Sequence, residues 1–162
     1  NALTNASNGD VIKLTADIAY TTNGSGLINI TKSITLDGQG HTISGYGSRS
    51  GNKTTMAINN GGANFVEVTL KNLTIVNAGA AGRAIETRGK ITSFTMDNCS
   101  IQCTGGGNTQ PLTIQEPILN FVMMWIILPV HCLQWALRKM IMLLYGLQIF
   151  LSGTSHSGLL PR

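Results

Sequence analysis

The chain has 162 residues, 43% of them hydrophobic and only 11% charged, with 19 glycines. Soluble domains average about 25% charged residues and about 7% glycine, so this composition argues against a helical enzyme and for a strand-rich chain with many turns. The net charge of +4 is thinly spread and no basic run interleaves with aromatic residues, so nucleic-acid binding has no footprint.

In chain order, a short helix is expected near Leu3-Thr-Asn-Ala, and then apolar residues alternate with Thr, Asn, Lys and Glu at the period of a strand. Glu67-Val-Thr-Leu-Lys and Ile91-Thr-Ser-Phe-Thr-Met-Asp show the alternation, and Asp37-Gly-Gln-Gly, Asn59-Asn-Gly-Gly and Gly105-Gly-Gly supply turns between strands. The strands repeat. Ile34-Thr-Leu-Asp, Val68-Thr-Leu-Lys and Phe94-Thr-Met-Asp share one pattern, followed by Thr42-Ile43, Thr74-Ile75 and Ser100-Ile101. A second column is expected through Ile28, Ile58, Ile85 and Ile114. Several short strands per repeat, no long helix and a period of about 28 residues predict a stacked coil whose rungs satisfy one another's backbones. The prediction is an all-β solenoid of about four coils over residues 1–115, with a separate segment, 116–162, behind it.

The opening Asn8-Gly-Asp-Val-Ile-Lys-Leu-Thr-Ala-Asp-Ile, followed by Ile34-Thr-Leu-Asp-Gly-Gln-Gly-His-Thr-Ile, resembles the start of pectate-lyase-like right-handed parallel β-helix proteins. Adhesin-type bacterial surface members resemble it most. The likeness spans residues 2–115 and implies the fold and an extracellular or bacterial cell-surface location. It implies no activity, because one scaffold hosts both binders and polysaccharide lyases or hydrolases. In such openings the short N-terminal helix caps the first coil.

Composition changes abruptly near Gln115. Pro117 to Leu137 carries no charge and is followed by more Leu and Met. The preferred reading is an out-of-frame tail, because a one-base shift of the nearly fixed codons of Met123-Met-Trp-Ile yields polar, turn-rich words like those of the coils. The competing reading is a membrane segment, since 21 uncharged residues reach spanning length. Either reading predicts a helix near 118–128, a break at Pro129 and a second helix over 131–145 ending at Gly146, with self-association through this apolar tail.

Two charged constellations stand out. Arg83, Glu86, Arg88 and Lys90 form the densest patch and are the candidate carbohydrate-binding residues; the bland alternative is a solvated turn. Asp37, Lys71 and Asp97 fall in one column, with Asn72 and Asn98 in equivalent places after it. This is read as a structural ladder rather than a lyase or calcium site. His41 has no acid in its own coil position to make it a general base. Cys99 takes the place of Leu73 and reads as a small buried hydrophobe. Six N-x-S/T sequons occur by composition, and there is no P-loop, GxSxG or HExxH. No catalytic residue, metal or cofactor is expected. The predicted function is the N-terminal fragment of a bacterial secreted or surface β-helix protein, built for adhesion or display to glycans or a host surface. The alternatives are the truncated start of a polysaccharide lyase or hydrolase, a membrane-anchored β-helix, and an open reading frame with no evolved function.

Overall fold

The computed structural model describes residues 2–20, 28–49, 52–115 and 118–124. Among these residues one helical turn, α1 (Ala2–Asn5), precedes twelve strands. The first sheet contains β1 (Val11–Lys13), β2 (Ile18–Ala19), β4 (Ile34–Asp37), β5 (Thr42–Ser44), β8 (Val66–Asn77), β10 (Ile91–Cys103) and β12 (Ile118–Met124). The second contains β3 (Ile28–Ile30), β6 (Gly47–Arg49), β7 (Asn52–Ile58), β9 (Arg83–Thr87) and β11 (Gln110–Ile114). Neighbouring strands of each sheet pair in parallel except β6 with β7, and the chain passes from one sheet to the other and back, making a β-solenoid of about three turns. The expected all-β parallel coil is therefore the fold.

The pattern of the first sheet is the one read from the repeats. Ile34 pairs with Val68 and Val68 with Phe94, while Leu36, Leu70 and Met96 form the next inward column. All six are buried at 4% exposure or less, so each contributes on the order of 1.5–3 kcal/mol of apolar burial. β8 and β10 each bend at one asparagine, Asn72 (φ 50°) and Asn98 (φ 49°), in the left-handed region that asparagine tolerates better than most residues. The bend shifts the buried positions from a spacing of two to three, Leu70 to Leu73 and Met96 to Cys99. Both halves of each long strand therefore face the same core. Gly38 has no alternative, because a Cβ there would collide with the Asn72 carbonyl and the Leu73 side chain.

Three expectations need correction. The second column is not Ile28–Ile58–Ile85–Ile114. The structure pairs Ile28 with Met56, Met56 with Ile85 and Ile85 with Leu112, and separately Ile30 with Ile58, Ile58 with Thr87 and Thr87 with Ile114. The expected column jumped between two neighbouring ones. A slip of two residues leaves the buried face unchanged, so alternation cannot detect it. Second, residues 118–124 are not the start of a helix: they form β12, in parallel register with β10. The partners Ile91↔Ile118, Phe94↔Phe121 and Met96↔Met123 repeat Ile-x-x-Phe-x-Met. The tail's first residues thus continue the columns, because Ile118, Phe121 and Val122 favour strands and a paired rung lies ready beside them. Third, the stack accordingly continues past Gln115. The proposed break at Pro129 and the helix over 131–145 lie outside the described residues. Among the described residues no helix is long and apolar enough to cross a membrane.

The unequal repeat also finds its cause. The offset from Ile34 to Val68 is 34 residues and from Val68 to Phe94 is 26. The longer turn contains β6, which folds back antiparallel on β7 as a hairpin beside the coil.

Candidate functional site

The structural ladder forms as the columns require. Lys13, Asp37, Lys71 and Asp97 occupy successive rungs, and Lys13 extends the expected series by one. Asp37 is nearly buried. It accepts the Gln39 N–H at 3.1 Å, the Gln39 side-chain amide at 2.6 Å and the Asn72 amide at 3.2 Å, with the Lys71 ammonium at 3.5 Å. Burial pushes its pKa up, but these hydrogen bonds and the Lys71 charge outweigh it and hold the carboxyl below its ordinary 3.8. Above it, Asn98 donates to Asn72 Oδ1 at 2.9 Å, so one chain of amides runs Asp37–Asn72–Asn98 across three rungs.

The charged patch resolves differently. Glu86, on β9, is fully buried. Its Oε1 receives Arg83 at 2.6 Å, Arg88 at 3.0 Å and Gln115 at 2.7 Å, and its Oε2 receives the Thr54 hydroxyl at 3.2 Å. Thr54 belongs to β7 and Gln115 follows β11, so one carboxylate ties three successive rungs of the second sheet. The sequence placed Arg83, Glu86 and Arg88 together, and so does the fold, as a desolvated hub with one positive charge in excess. Lys90 stands apart. Its ammonium lies 5.7 Å from the centre of the Phe65 ring, which is 58% exposed. Phe65 and Lys90 are the residues immediately before the paired Val66 and Ile91, so they share one corner of neighbouring rungs. Sequence reasoning missed Phe65; an aromatic residue just before a buried strand start, one rung below a lysine, was the available signal.

Other polar groups serve the turns. Asn77 is fully buried, donates to the carbonyls of Lys53 and Arg83 at 2.9 and 2.8 Å, and accepts the Gly79 N–H at 2.8 Å. Asn59 donates to the carbonyls of Asn64 and Lys90, pinning the 59–65 connection against residue 90. Its Oδ1 is buried without a hydrogen-bond partner among the described residues, with Gly62 packed against it. Asn59 and Asn77 were not singled out from the sequence, because asparagine is common throughout and only coordinates separate a buried clamp from a surface turn.

His41 has an acid after all, from the rung below. Asp17 Oδ1 lies 3.1 Å from its Nδ1 and also accepts the Thr42 N–H at 2.9 Å. The Thr42 hydrogen bond and then His41 hold the exposed Asp17 carboxyl below its ordinary 3.8. Cys99 is buried beside Leu73, as expected, and desolvation raises its thiol to about 11, an unreactive setting. No three His, Cys, Asp or Glu side chains converge on a metal position among the described residues.

A parallel solenoid whose buried and turn-forming carboxylates are bound to its own backbone and arginines belongs to the class of repeat scaffolds that present a surface. Residues 1–111 match the family of the pectate lyase-like adhesive domain, and the chain is a member of that family. Neither a curated protein nor a solved structure matches it. Membership assigns the chain a role in surface adhesion.

Proposed function

We propose that the chain is an adhesive module of a secreted or surface-displayed bacterial β-helix protein, without catalysis of its own, and that it holds anionic glycans at the corner formed by Phe65 and Lys90, with the net positive Arg83–Glu86–Arg88 cluster on the segment that leads into Lys90. The observation that carries this reading is the division of labour among charges. Asp10, Asp17, Asp37 and Glu86 all accept hydrogen bonds from neighbouring backbone or side chains. An aromatic ring and a lysine, by contrast, are turned to solvent side by side. A ring face suits the apolar face of a pyranose, and the lysine with the surplus guanidinium charge suits a uronate carboxylate or a sulfate. Carboxylates engaged in this way are poorly placed to act as the free acid and base that sugar cleavage needs.

Immobilised polygalacturonate and alginate, with uncharged cellulose oligomers as control, test the reading. Binding is expected to the acidic polymers only and to weaken as salt rises. Phe65→Ala and Lys90→Ala should each reduce it about threefold to tenfold, in line with about 0.5–1 kcal/mol or more for an exposed cation–ring site. Equal binding to the neutral polymer, or no effect of either substitution, overturns the site. Release of unsaturated products or new reducing ends would overturn the non-catalytic reading and favour the lyase or hydrolase alternative.

A further inference from the structure

An asparagine followed by glycine can cyclise. The glycine backbone nitrogen attacks the asparagine side-chain carbonyl carbon, ammonia leaves, and the resulting succinimide is opened by water at either carbonyl, giving aspartate or isoaspartate. Glycine permits this because it has no Cβ to hinder the approach. The step requires an asparagine amide that is free to turn and a glycine N–H not engaged elsewhere.

Two Asn-Gly pairs lie among the described residues, and the fold treats them oppositely. At Asn8-Gly9 both reacting groups are tied to the rung above: Asn8 Oδ1 accepts the Ser33 N–H at 3.0 Å and the Gly9 N–H donates to the Ser33 carbonyl at 2.7 Å. At Asn60-Gly61 neither the Asn60 side chain nor the Gly61 N–H makes a hydrogen bond among the described residues. Gly61 sits at φ +76° with open space where a Cβ would be. The backbone of Asn60 is nevertheless held. Its carbonyl accepts Asn29 Nδ2 at 2.9 Å and its N–H donates to Asn29 Oδ1 at 3.1 Å, an amide clamp from β3.

We propose that Asn60-Gly61 is a spontaneous deamidation site, a slow covalent modification built into the connection between β7 and β8, while Asn8-Gly9 is protected by its bonds to Ser33. Isoaspartate formation routes the main chain through the former side chain. The Asn60 carbonyl that Asn29 holds becomes part of a free carboxylate, and one negative charge is added to the connection that carries Phe65. The proposal stands on the two turn geometries and does not depend on the glycan reading.

The test is incubation of the full chain at mildly alkaline pH, followed by peptide mapping and isoaspartyl methyltransferase labelling. A urea-denatured sample run in parallel gives the intrinsic rate of each pair. Native Asn60 should convert at close to its denatured rate. Native Asn8 should lag its own denatured rate by about tenfold or more, the handicap of first breaking two ordinary hydrogen bonds. Asn60→Gln, which disfavours the five-membered closure, should abolish the Asn60 signal and leave Asn8 unchanged. Native Asn60 persisting while its denatured counterpart converts overturns the proposal, as does equal native protection of the two pairs.

Discussion

The Asp37 ladder of the first sheet and the Glu86 hub of the second begin from the same ingredients, acids and bases stacked on neighbouring rungs, and end as different physical objects. In the ladder Asp37 is held by Gln39 of its own turn and by Asn72 and Lys71 of the next rung, the partner Lys71 is 37% exposed, and much of the hydrogen bonding comes from amides. In the hub a fully buried carboxylate takes two guanidiniums, an amide and a hydroxyl from three rungs. Stacking decides which groups are neighbours; burial decides what the neighbourhood is worth. Breaking a buried pair leaves a desolvated charge uncompensated, whereas an exposed pair is screened by water and salt.

Three measurements sharpen or break this contrast. Glu86→Gln should be the most damaging, costing on the order of 3 kcal/mol in urea unfolding because two half-buried guanidiniums lose the charge of the fully buried carboxylate between them. A loss under about 1 kcal/mol would mean the hub is far better hydrated than its geometry indicates. A smaller effect is expected on acidification. Asp17 and Asp37 both have folded pKa values below the ordinary 3.8, so the stability they contribute is present above that value and lost as pH falls through the depressed folded values. A melting-temperature series across the acid range should therefore be flat above about pH 5 for these groups and should fall below 3.8. In Asp37→Asn the acid decline should become shallower. An unchanged decline would remove Asp37 from the ladder's energetics. The smallest change belongs to Lys71→Ala, a few tenths of a kcal/mol and diminished further by salt. A cost comparable to that of Glu86→Gln would erase the distinction between the two regions.

Much of the first sheet could be read directly. Ile34, Val68 and Phe94 repeat with Leu36, Leu70 and Met96 in strict alternation, and the Asn72 and Asn98 corners fall at equal distances behind them. The second sheet was legible only to within one inward column, because Met56 and Leu112 look no different in kind from Ile58 and Ile114, and a two-residue slip conserves every buried face. β12 was hidden by its surroundings. A long uncharged run points to helix, while the Ile118-x-x-Phe121-x-Met123 repeat of Ile91-x-x-Phe94-x-Met96 carries the strand signal. The charged residues of the hub were identifiable, but not their desolvation. Thr54 lies 32 positions before Glu86 and Gln115 lies 29 after it, and no local pattern announces that they close over one carboxylate.

The seven residues of β12 align on β10 at the head of a long uncharged run. The exposed edge of β10 thus serves as the template on which β12 is laid down. During synthesis the earliest coils can consolidate while later ones are still on the ribosome, and an apolar stretch arriving behind them is recruited as the next layer instead of being left to aggregate.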